Sequence, residues 1–259
     1  NSVLSVKQFG AKGDGVTNDT DALQRAINSL QSLYFPAGVY MTDELFIGTG
    51  SRGARYIGAG NYHYDGQYQT VVKARTLGQN SVIKAPSGAD CISFENMRVD
   101  ADLKANKCFD FFTAFIYMFN VGIYNSRIEG LAGRISVSRL DRVFSMGHLN
   151  LGVTVYSDTA ISNSEFTGGT IPLRLQAGGN RLTSVWVNSG SECCLELKPL
   201  DTATTHINTS ITNLYIGETY GGLATKPILK IEGLPTQRVQ QVQISNSHLV
   251  GAASEGLRS

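Results

Sequence analysis

The sequence predicts an all-β protein, specifically a right-handed, single-stranded parallel β-helix (a solenoid) with a short α-helix that caps its N-terminal end. Three observations predict this fold class: one helical pattern near the start, a strand-like pattern that recurs six times after it, and irregular spacing between the repeats. Pro is scarce, and segments rich in Val, Ile, Tyr and Thr alternate with Gly, Asn and Ser turns through the rest of the chain.

The helical pattern covers residues 17–30. Asn18 is placed to cap this helix, and Asp21 puts a carboxylate into its first turn, where the helix dipole favours negative charge. Apolar residues recur at helical spacing and form one stripe: Ala22, Leu23, Ala26, Ile27 and Leu30. We expect the stripe to cover the first coil, whose open end would otherwise expose apolar surface and unpaired strand edges.

Six later segments share one strand-like pattern: residues 92–99, 121–128, 159–166, 180–187, 209–216 and 242–249. Each ends on a large apolar residue, with another apolar residue five positions earlier and Asn, once Ser, three positions earlier. Their last residues are 29, 38, 21, 29 and 33 positions apart. A β-helix tolerates such variation because the loops between stacked strands can differ in length. The spacing of 38 leaves room for an extra coil, for which residues 135–143 are a weaker match.

Alternation within the repeats predicts which side chains point inward. The first predicted inward column contains Phe94, Ile123, Ile161, Leu182, Ile211 and Ile244. The second contains Val99, Ile128, Phe166, Val187, Ile216 and Leu249. The asparagines are predicted to stack at a turn as a hydrogen-bonded ladder: Asn96, Asn125, Asn163, Asn213 and Asn246.

The N-terminal third carries the motifs VKQFGAKGDGVTNDT (6–20), ALQRAI (22–27), YFPAGVY (34–40), YIGAG (56–60) and TVVK (70–73). In these motifs the chain resembles the pectate-lyase-3-type β-helix family, which includes phage tailspikes and capsule depolymerases. The resemblance implies a cap with the first coils over residues 1–75 and a β-helix body over residues 76–259, and it implies a parallel homotrimer. It carries over no catalytic residue, because members of one fold family differ in chemistry.

Residues that flank the second inward column are predicted to form one solvent-exposed face. The preceding positions are Arg98, Arg127, Glu165, Trp186, Tyr215 and His248, and the first two following positions are Asp100 and Glu129. Arginine pairs with the carboxylates of acidic sugars and an aromatic ring stacks on a sugar ring, which makes Arg98, Arg127, Trp186 and Tyr215 the predicted substrate-binding residues. The alternative for the arginines and glutamates is an ordinary solvated strand surface, and His248 fits a surface histidine.

Glu129 is the central catalytic candidate. A glycosidase needs two carboxyl groups, and Asp100 and Glu129 on neighbouring coils would lie about 5 Å apart, the range of retaining enzymes. Glu165 is the second possible partner of Glu129. A lyase would instead use a basic residue beside the uronate, for which Arg98, Arg127 or Lys104 are available. The sequence leaves hydrolase and lyase chemistry open.

The leading hypothesis is a phage tailspike-like protein that binds a bacterial capsular polysaccharide or lipopolysaccharide and depolymerises it, on the tail of an extracellular virion. The alternatives are a non-catalytic β-helix module for structure or adhesion, and a secreted bacterial lyase. A net charge of +1 argues against a nucleic-acid partner, and no stretch suggests membrane insertion. We predict no metal or other cofactor.

Two further groups of residues bear on packing. The four cysteines fit no zinc or redox spacing, and we expect all of them to be small buried hydrophobes: Cys91, Cys108, Cys193 and Cys194. An aromatic run could form a contact between subunits, although core packing is the preferred interpretation for most of its members: Phe111, Phe112, Phe115, Tyr117 and Phe119.

Overall fold

A computed structural model describes residues 3–61, 69–200, 207–217, 227–233, 239–250 and 257–258. Within them, the strands form two sheets in which every strand pairing is parallel. Most coils contribute one strand to each sheet, and the strands of neighbouring coils stack on one another. The chain is therefore a parallel β-helix, as the sequence predicts.

The first sheet carries the recurring pattern. Its strands are β1 (Val3–Ser5), β2 (Asp14–Asn18), β3 (Ser32–Phe35), β4 (Gly38–Thr42), β6 (Arg55–Gly58), β7 (Thr70–Ala74), β9 (Ser93–Asp100), β11 (Tyr117–Tyr124), β13 (Arg139–Met146), β15 (Ala160–Thr167), β17 (Asn180–Asn188), β19 (Ile207–Gly217), β21 (Val239–Ser245) and β22 (His248–Val250). The strand β13 belongs to the extra coil that the spacing of 38 residues allowed.

The second sheet is made of shorter strands. These are β5 (Leu45–Phe46), β8 (Ser81–Ala85), β10 (Lys107–Phe111), β12 (Glu129–Gly133), β14 (Leu151–Val155), β16 (Ile171–Leu175), β18 (Leu195–Leu197), β20 (Leu229–Ile231) and β23 (Leu257–Arg258). One cluster of buried apolar side chains fills the space that the coils enclose, from Val6 to Leu229. The division of the chain at residue 75 stays a prediction.

The α-helix α1 is shorter than predicted and covers Thr20–Asn28. The N-cap residue is Asp19 and not Asn18 as predicted, although the Asn18 side chain accepts a hydrogen bond from the Thr20 amide at 3.1 Å. Four residues of the predicted stripe are buried, but Leu30 lies beyond the helix with a φ of 58° and is 51% exposed, so its place in the stripe was wrong. The helix packs on β5 and on the 3₁₀ turn Val6–Phe9, and its role as a cap stays a prediction. None of the helices in the described parts of the chain has the length and apolar character of a membrane span.

The register of the second repeat was predicted wrongly, by five residues. The structure pairs Val99 with Ile123, so Ile123 belongs to the second inward column and Met118 takes its place opposite Phe94. Ile128, predicted to point inward, is 46% exposed. Two overlapping segments satisfy the same pattern here. The segment that ends at Ile123 forms the strand because it buries Met118, Val121 and Ile123 completely.

The predicted asparagine ladder is a bend in the strands of the first sheet. Every residue in its column has a positive φ between 47° and 55°: Asn96, Asn120, Arg142, Asn163, Ser184, Asn213 and Asn246. Asparagine recurs because it tolerates this left-handed conformation better than most residues. Asn120, not Asn125, stacks on Asn96 and donates to it at 2.9 Å. The place of Asn125 in the ladder was therefore wrong, and Arg142 and Ser184 interrupt the column of asparagines.

Two packing predictions hold only in part. All four cysteines are free, and three are buried, but Cys91 is exposed. In the aromatic run Phe111 lies in the core, whereas Phe112 and Phe115 are about half exposed, at 49% and 50%. Tyr117 and Phe119 stack on each other on the outer face of the first sheet, with ring centroids 6.4 Å apart. Core packing was therefore the wrong expectation for most of the run.

Candidate functional site

An aromatic groove runs along the outer face of the first sheet. Phe144, Glu165, Trp186 and Tyr215 come from four consecutive strands, β13, β15, β17 and β19, and the strand register places each directly above the next. Together with side chains of the bend column they line a depression of about 370 Å³. Its full lining is Phe144, Asn163, Ser164, Glu165, Ser184, Val185, Trp186, Asn213 and Tyr215.

The two strongest binding candidates form a pair at this groove. The rings of Trp186 and Tyr215 have their centroids 4.4 Å apart and are tilted by 50°. Trp186 remains 48% exposed although it is the single tryptophan of the sequence. Such rings offer apolar faces for stacking and a polar N–H or O–H for hydrogen bonding. The sequence prediction that Glu165, Trp186 and Tyr215 share one face is confirmed.

Arg98 and Asp100 lie on the same sheet but outside the groove. In the strand register, Gly122 and Phe144 lie between Arg98 and Glu165, so Arg98 is three coils away from Glu165. Its guanidinium contacts Asp100 at 2.5 Å and lies 4.0 Å from the centre of the Tyr124 ring.

The Asp100 carboxylate is buried and also accepts from Asn125 Nδ2 at 2.9 Å and from the Asp102 amide at 2.8 Å. These contacts tie Arg98 and Asp100 into the coil. Lys104, the lyase alternative, is paired with Asp102 at 2.7 Å.

The predicted positions of Arg127 and Glu129 were wrong. Because the second repeat is shifted, Arg127 is an exposed residue that precedes β12. Glu129 begins β12 on the second sheet, where it pairs with Lys107 and Leu151. Asp100 and Glu165 both lie on the first sheet. Neither carboxylate is the neighbour of Glu129 in the strand register, and the argument for a retaining separation no longer applies.

Glu129 instead opens onto a charged pocket on the second sheet. This pocket, of about 220 Å³, is lined by Phe112, Glu129, Gly133, Arg134, Thr154, Arg174, Gln176 and Leu200. The Thr154 hydroxyl donates a hydrogen bond to Glu129 Oε1. Burial raises the pKa of Glu129, while Thr154, Arg174 and Lys107 partly oppose this effect and Asp110 adds to it.

Ion pairs between stacked strands hold the charges of the pocket. The register aligns Arg174, Glu196 and Lys230 on β16, β18 and β20. The Glu196 carboxylate, whose side chain is only 2% exposed, contacts Arg174 at 2.5 Å and Lys230 at 3.4 Å. On β10, Lys107 pairs with Asp110 at 2.9 Å. A carboxyl group with a raised pKa beside fixed cations can donate a proton or bind a polar ligand.

Sequence reasoning missed Thr154, Arg174 and Glu196. The available signal was a polar residue at one position of each short apolar segment that forms the second sheet, as in residues 171–175 and 195–197. Across the described residues, no group of three or more His, Cys, Asp or Glu side chains is arranged to hold a metal ion.

Stacked parallel coils that enclose one core, preceded by the Gly-rich N-terminal motif, define a pectate-lyase-like β-helix protein. The chain belongs to the family described as rhamnogalacturonase A/epimerase, pectate lyase-like, whose family model matches residues 3–217. Members of this class include phage tailspike-like proteins, and the resemblance predicted from the N-terminal motifs is confirmed.

Individual relatives agree with this assignment. Depolymerase 1 of Klebsiella phage K5-2, described as capsule-specific, is 25% identical over 206 residues, which cover 74% of this chain but 24% of the depolymerase. The A-module of mannuronan C-5 epimerase AlgE4 from Azotobacter vinelandii has a TM-score of 0.68 at 16% identity over 96% of this chain and 77% of that one.

The Dettilon tailspike protein has a TM-score of 0.67 at 12% identity, over 90% of this chain and 46% of the tailspike. At these identities the two structures show a common fold alone. The chain spans about a quarter of the length of the phage depolymerase that it matches.

Proposed function

We propose that the chain is the β-helix part of a phage tail protein that binds a bacterial surface polysaccharide in the aromatic groove and depolymerises it. The observation that carries the proposal is the half-exposed Trp186 in contact with the Tyr215 ring, with Glu165 one coil away. Exposed aromatic rings on a rigid sheet are suited to sugar rings because binding then costs little side-chain entropy.

The dimensions and polarity of the groove support an extended neutral ligand. Four stacked coils from Phe144 to Tyr215 span roughly 14 Å along the solenoid axis. Asn163 and Asn213 supply amide donors and acceptors at the bend, and Glu165 supplies acceptors for hydroxyl groups. Among the described residues that line the groove there is neither Lys nor Arg, so the acidic-sugar binding expected from Arg98 and Arg127 finds no support in this lining.

Binding is tested with a panel of purified capsular polysaccharides and lipopolysaccharides. We expect one glycan to bind the wild-type chain and to bind Trp186→Ala and Tyr215→Ala more weakly. Phe46→Ala is the matched control, because Phe46 is a similarly exposed aromatic residue that lies outside the groove and outside the proposed contact between subunits. Equal loss in all three variants would contradict a role for this groove, and binding to no glycan would contradict the proposal.

Depolymerisation is tested on the same panel by release of reducing ends. It is supported by the capsule depolymerase among the relatives and by a buried carboxyl group that opens onto a pocket. An absorbance increase from unsaturated uronates would indicate lyase chemistry. This outcome would fit a pectate-lyase-like family and would favour the secreted-lyase alternative.

The second candidate function is a non-catalytic module for structure or adhesion. One observation favours it: among the described residues, the lining of the aromatic groove contains one carboxylate, Glu165, and the lining of the charged pocket contains one, Glu129, whereas glycoside hydrolysis usually needs two. This candidate predicts glycan binding without release of reducing ends by any variant.

Assembly and location belong to the same proposal. We place the protein on the tail of an extracellular virion, as a homotrimer with an exposed aromatic surface formed by Phe112 and Phe115. Sedimentation equilibrium of the wild-type chain and of a Phe112→Ser, Phe115→Ser double variant tests this assembly. A trimer that the double variant leaves unchanged would contradict the role of these two residues.

A further inference from the structure

We infer that Glu129 is the proton donor for hydrolytic cleavage of a glycosidic bond in the charged pocket of the second sheet. The inference rests on the proposed function, because it assigns the cleavage step to particular residues. It separates cleavage from the aromatic groove, which lies on the other sheet. The sequence selected Glu129 as a candidate on the basis of a strand register that the structure contradicts. The inference rests instead on the contacts of Glu129 in the structure.

The first support is the position of the Glu129 carboxyl group. It lies at the wall of the pocket, and the Thr154 hydroxyl donates to its Oε1 atom, which fixes its orientation. A general acid needs this combination of a fixed carboxyl group and an adjoining space that can hold the leaving oxygen.

Two cations near Glu129 are held in ion pairs and do not supply the free base that elimination would require. Lys107 and Asp110 face it from β10, Arg174 faces it from β16, and Arg134 lines the same pocket. Lys107 is paired with Asp110, and Arg174 is paired with Glu196. Because both of these cations are held by carboxylates, neither is a free base of the kind that elimination would require.

The burial of Glu129 favours the protonated form of its carboxyl group. Burial raises its pKa, so the carboxyl group keeps its proton at a higher pH than an exposed glutamate would. Enzymes raise the pKa of a glutamate in this way when it acts as a general acid. The stacked pairs Arg174–Glu196 and Glu196–Lys230 hold the neighbouring charges in place during such a step.

In the proposed step, the proton of Glu129 moves to the glycosidic oxygen while the bond between that oxygen and the anomeric carbon breaks. Water forms a new bond to the anomeric carbon and releases one proton to solvent. Glu129 then regains a proton from solvent. The products are a new reducing end and a free hydroxyl group, with no unsaturated sugar.

The experiment uses the full chain with the glycan panel and compares wild type, Glu129→Gln and Glu192→Gln. Glu192 is an exposed residue and serves as the matched control. We expect Glu129→Gln to lower the turnover rate by about 100-fold or more while glycan affinity stays unchanged, and Glu192→Gln to change neither. In the wild type, kcat/KM should fall as the pH rises through the raised pKa of Glu129.

Each other outcome decides a different point. Cleavage by Glu129→Gln at the control rate, unsaturated products, or a wild-type pH profile without the falling limb would overturn the role of Glu129 and leave the proposed function standing. Binding without cleavage by the wild type would overturn this inference and favour the non-catalytic module. Absence of both binding and cleavage would overturn the proposed function as well. The wild-type pH profile decides the role even where the variant fails to fold.

Discussion

The aromatic groove and the charged pocket differ in how they are attached to the fold. In the groove, Trp186 and Tyr215 contact each other above the sheet, and Trp186 is half exposed. Arg174 lines the charged pocket, and behind it the almost completely buried Glu196 is held by Arg174 and Lys230 from neighbouring coils. A surface that binds through exposed rings can change at little cost to folding, whereas a site built from buried charges is part of the framework of the solenoid.

The largest expected effect follows from removing one partner of the buried ion pair. Arg174→Ala leaves the Glu196 carboxylate buried with Lys230 as its remaining partner, so we expect a loss of about 3 kcal/mol in the free energy of unfolding. The matched control is Arg75→Ala, which breaks the more exposed pair with Asp43 and should cost less than about 1 kcal/mol. Urea denaturation measures both values. Equal losses of stability in Arg174→Ala and Arg75→Ala would mean that the buried ion pair contributes no more to folding than the exposed one.

A second large effect concerns the core behind β12. His148 is buried, and its ring nitrogens contact the hydroxyl groups of Ser126 at 2.7 Å and Ser145 at 2.9 Å. Burial lowers the pKa of His148 to about 4. In the unfolded chain the pKa of histidine is about 6.5, so the unfolded state binds a proton before the folded state does.

The stability from neutral His148 is therefore complete above pH 6.5 and is lost as the pH falls toward 4. The two pKa values correspond to about 3 kcal/mol over this range. Urea denaturation between pH 7 and pH 4 should show this loss in the wild type, beyond any loss in His148→Gln. Because carboxylates titrate in both proteins, the difference between them is the relevant quantity, and parallel curves would argue against the buried neutral histidine.

The comparison of the two regions also explains what the sequence could predict. Glu165, Trp186 and Tyr215 were placed together correctly because their strands alternate clearly between buried and exposed positions. The short strands of the second sheet lack this alternation. In β10 even Asp110 is buried on the outer side, and in β18 all three residues are buried. Polar residues on such strands carry no periodic signal, which is why Arg174 and Glu196 were missed.

The error at Glu129 has a different physical origin. Residues 118–123 and 123–128 both place apolar residues five positions apart, with asparagine three positions before the last one. Only the packing of whole coils distinguishes them, because Met118 and Ile123 fill the core when Asn120 takes the left-handed bend. A five-residue shift moves Glu129 to the next sheet, so a local ambiguity displaced the principal catalytic candidate.

A moderate effect is expected in the groove. Trp186→Ala should weaken glycan binding by about tenfold, which corresponds to about 1.4 kcal/mol, because one stacking ring is lost. Its free energy of unfolding should change less than that of Arg174→Ala, since Trp186 is half exposed. Isothermal titration and urea denaturation of the same preparations measure the two quantities. A large loss of stability in Trp186→Ala would show that the groove also belongs to the framework.

The smallest expected effect is a gain in the stability of the Glu129→Gln variant over the wild type at high pH. Because the pKa of Glu129 is raised in the folded state, the folded chain holds its proton more firmly than the unfolded chain. Wild-type stability should therefore decrease as the pH rises from about 4.5 through the raised pKa of Glu129. Glutamine carries no charge at any pH and can still accept from Thr154, so Glu129→Gln avoids this loss.

The measurement is the melting temperature of Glu129→Gln, wild type and Glu192→Gln at pH 4 and pH 8. We expect similar values at pH 4 and a higher value for Glu129→Gln at pH 8, with the control following the wild type. Functional sites often reduce stability in this way, because the charge needed for chemistry is unfavourable in a buried position. A lower melting temperature for Glu129→Gln at pH 8 would mean that the ionised carboxylate stabilises the pocket, and Glu129 would then belong to the same structural ion-pair system as Glu196.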